Sequence, residues 1–421
     1  MAYGVVISAT SSSGGKTLLS TALLHYFKKS VRPYKCGPDF IDPQFHQKIA
    51  QTPSINLDGF MLNKQQLQWM FSHYMDKDIA IIEGVMGYYD GMDKQSSAYD
   101  IAKMLQIPSL LILDASGSYI TIAAVLKGLV EFRADNTIKF IVLNKVSSAM
   151  HYELIKKHIE AELPNIIVLG WIVKDLPPLS SRHLGLDLEQ LSQLDLQQLC
   201  DAVLEHIDIE LLLEYATINL PHTSCYPFEK IEQKNQKCVV VYDENFSFLY
   251  HDNLAFLQER YKEVKFICAT KDETIPTDAE LVILPGGYVE TQESFARIKN
   301  SHNFKTSLQK HAKAKKSIYA ECAGLIYLGK NIDEKPMSGI LDIEFKLKEK
   351  RQRLGYYKEL NYQTKQITKG HAFHYSCVVH APQADGGLYK VSQKSIKDGA
   401  WREGNIYATY LHTLWRVSAR F

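Results

Sequence analysis

The sequence predicts an α/β protein with two α/β domains, and three observations lead to this prediction. Short apolar runs alternate with longer amphipathic runs over the first half of the chain, as in the βαβ units of a doubly wound, mostly parallel sheet. A similar alternation begins again near residue 237. Between the two, residues 217–236 carry prolines and polar residues without periodicity, which is typical of a linker. We therefore predict an N-terminal domain over 1–216 and a C-terminal domain over 237–421.

The order of apolar and amphipathic runs predicts the elements of each domain. In the first half, five apolar runs are predicted as strands buried on both faces: 4–9, 78–84, 109–115, 139–145 and 165–172. The helices between them are predicted at TLLSTALLHYFKK, QQLQWMFSHYM, AYDIAKMLQ and ELIKKHIEAEL, and a helical stretch near 187–217 closes this half. The strands of the second half are predicted at KCVVVYDE, VKFICAT, ELVILPGG and SIYAECAG.

Length, charge and cysteine usage narrow the class of protein. The chain has 421 residues and a formal net charge of +1, so it can build two or three cores, and nothing in its charge favours nucleic acid or an anionic membrane as a partner. No apolar run approaches membrane-spanning length, and the first ten residues resemble a strand rather than a signal peptide. Seven scattered cysteines without zinc spacing suit reduced thiols, so we expect a cytoplasmic protein.

A P-loop is predicted at ATSSSGGKTLLS, residues 9–20, between the first strand and the first helix. In such a loop, backbone N–H groups surround phosphate oxygens, a lysine contacts the β- and γ-phosphates, and a hydroxyl reaches Mg²⁺. The loop departs from the usual pattern because Thr10 occupies the first glycine position. The predicted ATP-binding residues are Thr10, Ser12, Ser13, Gly14, Gly15, Lys16 and Thr17, together with Asn144 at the end of a later strand.

Two acidic loops could supply the carboxylate that a P-loop enzyme needs for its metal. DIAIIEGVMGYYDG ends its strand at Glu83, and KCGPDFIDP places Asp39 and Asp42 in a loop between prolines. Each carboxylate could also be an ordinary turn residue, since Asp and Pro are common in turns. Two acidic loops beside one P-loop favour a metal and substrate site, with Thr17, Glu83, Asp39 and Asp42 as its candidate residues.

Cys322 stands where a predicted strand turns into a helix, in the sequence AECAG over 320–324. A nucleophile elbow has this arrangement, because small neighbours allow the sharp turn that exposes the reactive side chain. The amides that open the helix would stabilise an oxyanion, and the positive helix end would lower the pKa of the thiol. The alternative is a buried cysteine that acts as a small hydrophobic residue.

Two further segments favour a catalytic cysteine. LPGGYVE ends its strand in Gly286 and Gly287, whose amides could hold an oxyanion, and ATYLHTLW offers His412 as the base. GHAFHYS offers His371 and His374 as further histidines. A histidine on an apolar run is more often a core residue than a catalyst, but the presence of all three features in one domain favours catalysis.

Together these segments resemble the cobyrinic acid a,c-diamide synthase family, glutamine-dependent enzymes of cobalamin biosynthesis. The resemblance covers nearly the whole chain and is carried, in order, by ATSSSGGKT, KCGPDFIDP, EGVMGYYDG, LPGGYVE, AECAGLIYL, GHAFHYS and TYLHTLW. It implies a dethiobiotin-synthetase-like, ATP-dependent P-loop domain followed by a class I glutamine amidotransferase domain. It also implies ATP and glutamine as co-substrates, Mg²⁺ as the cofactor and a corrinoid macrocycle as the substrate, and it leaves a homodimer open.

The resemblance implies a role for most of these residues. Cys322 would attack the glutamine amide and release ammonia, with His412 moving protons and Gly287 holding the oxyanion. ATP would phosphorylate an acetate carboxylate of the macrocycle, and ammonia would displace the phosphate, once at each of two positions. Related amidotransferases often carry a glutamate two residues after the histidine, where this chain has Leu414, so a Cys–His dyad with another orienting group is expected. The metal residues implied are Thr17, Glu83 and Asp39, and the substrate residues implied are Asp42, Tyr88 and Asp90. Asp39 and Asp42 are each open to the metal or the substrate carboxylate.

Two alternatives stay open at this point. Nickel-sirohydrochlorin a,c-diamide synthases share the architecture, and these motifs do not separate the two macrocycles. The chain could also be a nucleotide-dependent regulator with an inert amidotransferase domain, which the replacement of the usual acid by Leu414 would fit. The elbow cysteine with its double glycine and histidine favours the enzyme.

Overall fold

The computed structural model describes residues 2–176, 181–182, 185–186, 193–221, 225–390, 392 and 395–418. The described chain divides into two compact units, one over 1–227 and one over 228–421. The segment predicted as a linker differs from that prediction at both ends, because each end belongs to a sheet. Thr217–Ile218 pairs with the first strand of the first unit, and Lys234–Val241 is the first strand of the second.

The first unit is built on an eight-stranded sheet. Its strands are β1 Ala2–Ala9, β2 Val31–Cys36, β3 Ile55–Leu57, β4 Ile79–Glu83, β5 Ser109–Asp114, β6 Ile138–Val146, β7 Ile167–Val173 and β10 Thr217–Ile218, and β8 Ser181–Arg182 pairs with β9 Gly185–Leu186 as a separate hairpin. Its helices are α1 Lys16–Phe27, α2 Ile41–Ala50, α3 Lys64–Tyr74, α4 Ala98–Leu105, α5 Ile120–Phe132, α6 Ala149–Glu162, α7 Gln193–Leu204 and α8 Ile209–Tyr215.

The strand order across this sheet is β3-β2-β4-β1-β5-β6-β7, and every pairing along this path is parallel. Only β10 is antiparallel, against β1. One core cluster joins the sheet to α1, α2, α7 and α8 through apolar side chains such as Leu23, Ile49 and Val203. This arrangement confirms the predicted doubly wound, mostly parallel sheet.

All five strands predicted in the first half are present, since each is an apolar run long enough to be recognised. Five strands of this unit were not predicted: β2, β3 and the two-residue strands β8, β9 and β10. The sequence of β2, VRPYKC, mixes a proline and two cations with apolar residues, although all six of its residues are buried. The sequence of β3 is only three residues long. Of the helical stretch predicted near 187–217, α7 and α8 are observed, and residues 187–192 lie outside the described residues.

The carboxyl ends of the central strands collect polar residues at one edge of the first sheet. Glu83 ends β4 and lies in register with Lys35 of β2, while Asp114 ends β5 in register with Asn144 of β6. The loop from β1 to α1 leaves from the same edge, because β1 runs parallel to these strands. In open α/β sheets this edge is where ligands bind.

The second unit contains a nine-stranded sheet, in the order β12-β11-β13-β14-β23-β22-β21-β18-β19, and a smaller four-stranded sheet, in the order β16-β15-β17-β20. The strands are β11 Lys234–Val241, β12 Tyr261–Ile267, β13 Ala279–Leu284, β14 Ser317–Glu321, β15 Asn331–Ile332, β16 Lys335–Pro336, β17 Glu344–Leu347, β18 Arg353–Asn361, β19 Ile367–His374, β20 Ser376–His380, β21 Gly386–Tyr389, β22 Lys397–Glu403 and β23 Ile406–Thr409. The helices are α9 His251–Arg260, α10 Gln292–Ile298, α11 His302–Lys313 and α12 Ala323–Leu328.

Within the large sheet, the strands from β12 to β23 pair in parallel, and the remaining strands pair antiparallel. Three neighbouring parallel strands, β13, β14 and β23, end at one edge, and the loops after them carry the double glycine, the elbow cysteine and His412. The topology therefore brings these three predicted features to one place. Among the described residues of both units, no helix is both long enough and apolar enough to cross a membrane.

Candidate active sites

The loop between β1 and α1 forms a compact turn in which glycines are required. Gly15 caps α1 with φ 101°, in the left-handed region, and a Cβ there would lie 2.6 Å from Nδ2 of Asn144. Lys16 follows as the first helical residue, and its Nζ donates to the carbonyls of Ser11 at 2.8 Å and Ser12 at 3.3 Å. The ammonium therefore lies inside the loop, where a phosphate group would meet it.

Glu83 lies at the centre of a buried cluster of charged side chains beside this loop. Its Oε1 accepts hydrogen bonds from Oγ1 of Thr17 at 2.9 Å and from Nζ of Lys35 at 3.0 Å, and its Oε2 lies 2.8 Å from Nε2 of His46. Glu83 is only 1% exposed, and burial alone would raise its pKa. The charge of Lys35 and the contact with His46 outweigh burial and hold the pKa of Glu83 well below its usual range.

Lys35 supplies the positive charge of this cluster. Besides Glu83, its Nζ contacts Oδ2 of Asp42 at 2.6 Å and the carbonyl of Gly84 at 3.3 Å. Burial would lower the pKa of Lys35, but Glu83, Asp42 and Asp39 together raise it above its ordinary value. Burial raises the pKa of Asp42 to about 6, against the pull of Lys35.

Two further acids organise the loops at this edge. Oδ1 of Asp39 accepts the N–H groups of Ile41 at 2.8 Å and Asp42 at 3.0 Å, and so caps the start of α2. Oδ2 of Asp90 accepts the N–H of Gly87 at 2.8 Å, and the Asp90 side chain is exposed. Both carboxylates thus shape the loops in which the sequence predicts metal and substrate contacts.

In the second unit, Cys322 occupies the sharp turn that its sequence predicts. It follows β14, precedes α12 and has φ 47° and ψ −100°, a backbone conformation that side chains other than glycine rarely adopt. The N–H of Cys322 donates to the carbonyl of Thr409 at 2.8 Å, which ties the turn to β23. A Cβ at Gly324 would collide with the carbonyl of Leu284, so the small residue after the turn is required.

The thiol itself differs from the prediction made for it. Cys322 is 4% exposed, and burial is the main influence that raises the pKa of its thiol, followed by the negative charge of Glu290. The N–H of Ala323, at the start of the short α12, lowers the pKa but is outweighed. The prediction that the helix end leaves the thiol with a lowered pKa is therefore wrong, because desolvation is the larger effect. At neutral pH the thiol therefore holds its proton, so a role as nucleophile would require a base.

His412 packs against the double glycine and is almost fully buried. A Cβ at Gly286 would overlap the His412 ring, so the glycine makes room for the imidazole. Gly287 has φ 148°, and a Cβ there would collide with the carbonyl of Asn245. The backbone of His412 exchanges two hydrogen bonds of 2.8 Å with the backbone of His371. The histidine is thus fixed by its main chain and by the glycine beneath its ring.

Comparisons with known proteins match each of the two units to a different domain family. The profile of the CobQ/CobB/MinD/ParA nucleotide-binding domain matches residues 5–183, and that of the CobB/CobQ-like glutamine amidotransferase domain matches residues 237–419. Three relatives are named cobyrinate a,c-diamide synthase. They come from Saccharolobus solfataricus (35% identical, covering 97% of this chain and 96% of the relative), Fusobacterium nucleatum (34%, 99% and 98%) and Caldanaerobacter subterraneus (33%, 97% and 94%).

The chain belongs to the cobyrinate a,c-diamide synthase family. Membership confirms the family resemblance and the two predicted kinds of domain, a P-loop nucleotide-binding domain and a glutamine amidotransferase domain. It also confirms that the chain is an enzyme of the glutamine-amidotransferase ligase class.

Two of the predicted site residues are buried and make hydrogen bonds within the protein. Tyr88 is 1% exposed, and its hydroxyl lies 3.2 Å from Oγ of Ser109 and 3.5 Å from Oγ1 of Thr137, so its side chain lies in the core, and its contact with the substrate stays a prediction. Asn144 is buried, and its Nδ2 donates to the carbonyl of Gly14 at 3.2 Å. We therefore interpret Asn144 as a support of the P-loop, and its direct contact with ATP stays a prediction.

The structure places three further residues at these sites that were not singled out from the sequence. Lys35 and His46 contact Glu83, and Glu321 lies beside His412. Lys35 stands within KCGPDFIDP, near the end of the buried strand β2. A cation at that position was the signal in the sequence that could have identified it. Glu321 directly precedes the elbow cysteine, but nothing in the sequence relates it to a histidine 91 positions away.

His374, the second histidine of GHAFHYS, is held by a backbone carbonyl and a neighbouring aromatic ring. Nδ1 of His374 lies 2.8 Å from the carbonyl of Ser376, and its ring stacks on Tyr410 with centroids 3.8 Å apart. Burial and the positive charge of Arg353 lower the pKa of His374 to about 3. His374 is therefore neutral throughout the physiological range.

Proposed function

We propose that this chain amidates the a and c acetate carboxylates of cobyrinic acid, with glutamine as the nitrogen donor and ATP as the activating reagent, in the biosynthesis of cobalamin. The observation that carries the proposal is the pairing, in one chain, of a P-loop beside a buried charged cluster with an elbow cysteine and a buried histidine that follow neighbouring strands of one sheet. The names of the relatives support the choice of macrocycle. A cytoplasmic location is part of the same proposal.

In the amidotransferase half, Cys322 is the proposed nucleophile and His412 the proposed base. His412 takes the thiol proton as the sulfur attacks the side-chain carbonyl of glutamine, and the backbone amides at Gly286–Gly287 receive the oxyanion. The carbon–nitrogen bond then breaks, and the proton held by His412 leaves with ammonia. Water hydrolyses the resulting thioester and restores the thiol, with glutamate as the second product.

In the synthetase half, Lys16 and the amides of the P-loop are the proposed contacts to the phosphates of ATP. A substrate carboxylate attacks the γ-phosphorus, the bond to ADP breaks, and an acyl phosphate forms. Ammonia then attacks the acyl carbon and phosphate leaves, which produces the amide. Asp42 and Asp90 remain the proposed substrate contacts, since both stand at the edge of the sheet where the P-loop opens.

The residues around the P-loop fit a magnesium ion. Thr17 and Glu83 offer a hydroxyl and a carboxylate 2.9 Å apart, and Mg²⁺ prefers such oxygen donors in small number, completed by phosphates and water. Among the described residues no group of three or more His, Cys, Asp or Glu is arranged to hold a metal. Thr17, Glu83 and Asp39 would hold the ion, which would neutralise charge on the transferred phosphoryl group.

Mass spectrometry of the macrocycle tests the proposal. Purified protein is incubated with ATP, Mg²⁺ and glutamine, and with cobyrinic acid in cobalt and cobalt-free forms or with nickel-sirohydrochlorin. Two successive losses of about one mass unit, each an acid converted to an amide, are expected with the cobyrinic acids. Conversion of nickel-sirohydrochlorin alone would mean that the enzyme carries out the same amidation on that macrocycle and not on cobyrinic acid. No conversion of any ring by protein that binds ATP would contradict the proposal and favour a nucleotide-dependent regulator.

A further inference from the structure

One buried contact of the second unit has no role in the chemistry described so far. Oε2 of Glu321 lies 3.4 Å from Nδ1 of His412, and both side chains are buried. Glu321 ends β14 and immediately precedes Cys322, while His412 follows the neighbouring strand β23. The register of these strands, with Glu321 opposite Thr409, brings the acid and the histidine together.

Two donors fix the other oxygen of the same carboxylate. Oε1 of Glu321 accepts hydrogen bonds from the hydroxyl of Tyr319 at 2.7 Å and from Nε1 of Trp415 at 3.0 Å. The indole N–H can only donate, so it requires an acceptor at this position. These two hydrogen bonds hold the carboxylate from its own strand and from the segment after His412.

We propose that Glu321 is the positioning residue of the thiol site. The carboxylate of Glu321 accepts a hydrogen bond from the N–H at Nδ1 of His412. Nε2 is then the nitrogen that takes the proton of Cys322, and the carboxylate stabilises the imidazolium that forms. This inference rests on the proposed roles of Cys322 and His412. It assigns the orienting acid to the residue before the nucleophile, in place of the position after the histidine that Leu414 occupies.

The location of Leu414 supports this assignment. Leu414 is 1% exposed and apolar, so it offers His412 no acceptor. Glu321 instead contacts the imidazole from the end of β14, the strand that immediately precedes Cys322. One strand end thereby supplies two functions: its last residue orients the base, and the strained residue after it attacks the substrate.

The competing interpretation is that Glu321 is only an acceptor for Tyr319 and Trp415. The substitution Glu321→Gln separates the two interpretations. A glutamine can still accept both hydrogen bonds through its carbonyl oxygen, and those two donors orient its amide so that the NH₂ group faces Nδ1 of His412. The histidine must then accept at Nδ1 and carry its proton on Nε2, which is the wrong tautomer for a base.

We expect Glu321→Gln to lower kcat for glutamine hydrolysis by ~10²- to 10⁴-fold, because general base catalysis contributes about 10²- to 10⁴-fold and a wrong histidine tautomer costs about 10⁴-fold in a Ser-His-Asp triad. The KM for glutamine and the ammonia-driven reaction should stay near the wild-type values, because neither depends on this proton. Tyr319→Phe is the matched control, since it removes one hydrogen bond to Glu321 and keeps the carboxylate beside His412. A much smaller decrease in kcat is expected for that variant.

The tautomer is measured directly by nitrogen NMR of histidine-labelled full-length protein, with the His412 signals identified by their loss in His412→Gln. The proton of neutral His412 is expected on Nδ1 in the wild type and on Nε2 in Glu321→Gln. Because the wild-type measurement needs no variant of Glu321, the inference stays testable if Glu321→Gln does not fold. A wild-type proton on Nε2 would overturn the inference.

Cys322→Ala separates this inference from the proposed function. If Cys322→Ala abolishes glutamine hydrolysis and Glu321→Gln retains wild-type kcat, the positioning role of Glu321 is excluded while the proposed function stands. If Cys322→Ala still hydrolyses glutamine, the proposed function fails, and the inference fails with it.

Discussion

The phosphate site of the first unit and the thiol site of the second hold their reactive groups by different physical means. Around the P-loop, buried cations and carboxylates alternate, and Lys35 contacts both Glu83 and Asp42 within 3.0 Å. Around Cys322, the thiol is neutral, the backbone is strained at φ 47°, and glycine makes room for the histidine ring. The first site depends on charge balance, and the second depends on shape and on the position of one proton.

This difference predicts how each site fails. Removal of one partner from a buried charge cluster leaves another charge uncompensated, which destabilises the fold. A change of shape at the thiol site leaves the fold nearly intact and displaces reacting atoms, because a displacement of about 1 Å is enough to cost catalysis. Four measurements test this contrast, in order of decreasing expected effect.

Cys322→Ala should lower glutamine-dependent amidation by at least ~10³-fold, since removal of a nucleophile removes the covalent route entirely. Ammonia-driven amidation should continue at the wild-type rate, because only the release of ammonia requires the thiol. Steady-state assays with glutamine or with ammonium chloride measure both. Cys377→Ala, a partly buried thiol in the same unit, is the control and should retain both activities. Loss of both activities in Cys322→Ala would contradict the separation of the two sites.

Lys35→Met should destabilise the first unit by about 3–5 kcal/mol, because Glu83 and Asp42 would lose their shared cation inside the protein. Urea unfolding followed by circular dichroism measures the change in the free energy of unfolding. Lys127→Met is the control, since its ion pair with Glu162 is exposed to solvent, and it should unfold like the wild type. Equal stability of Lys35→Met and wild type would mean that the two acids do not need the cation.

Gly286→Ala should lower kcat for glutamine hydrolysis by ~10²-fold, because the added methyl group overlaps the His412 ring and displaces it. The thermal midpoint of the second unit should change little compared with the loss of activity. Gly128→Ala in α5, where an added Cβ meets nothing within 4 Å, is the matched control and should be fully active. If Gly286→Ala hydrolyses glutamine normally, the ring position is less critical than the contrast requires.

The affinity for ATP should fall by about tenfold per pH unit above pH 8, which is the smallest of the four effects. Burial and the neighbouring charge of Lys35 lower the pKa of Lys16 to about 8, so the lysine is charged below that pH and neutral above it. One proton is then taken up on binding, which gives the tenfold slope. Calorimetric titration between pH 7 and 10 measures it. Lys16→Gln should bind weakly and without this slope, and a wild-type affinity that stays constant to pH 9.5 would contradict the prediction.

The sequence predicts the fold of this chain better than it predicts the interior of its sites. Apolar runs such as 109–115 identify strands because burial on both faces demands them, whereas β2 was missed because its polar residues are satisfied by distant partners. The loops of both sites were identified from glycine, cysteine and lysine positions, which reflect local backbone geometry. The contact between Glu321 and His412 could not be found in this way, since it depends on the register of β14 with β23.

Differences between expectation and structure at single residues have the same origin. Tyr88 stands in a loop that looks exposed in sequence, but its ring turns inward to Ser109. The helix end near Cys322 was correctly located, yet its effect on the thiol pKa was overestimated because burial is not visible in the sequence. Local geometry can be predicted from neighbouring residues, while burial and partner identity require the tertiary structure.

The short strand β10 sets a limit on how the first unit can be made and divided. It pairs Ala2 with Ile218, and the N–H of Gly4 donates to the carbonyl of Ala216 at 2.9 Å. The first residues of β1 can therefore complete their pairing only after a segment more than two hundred residues later has been synthesised. On a ribosome that interval corresponds to roughly 10–40 s of synthesis. A fragment that stops where the nucleotide-binding profile ends, at residue 183, would lack this closing strand, and the smallest segment expected to fold unaided extends through residue 218.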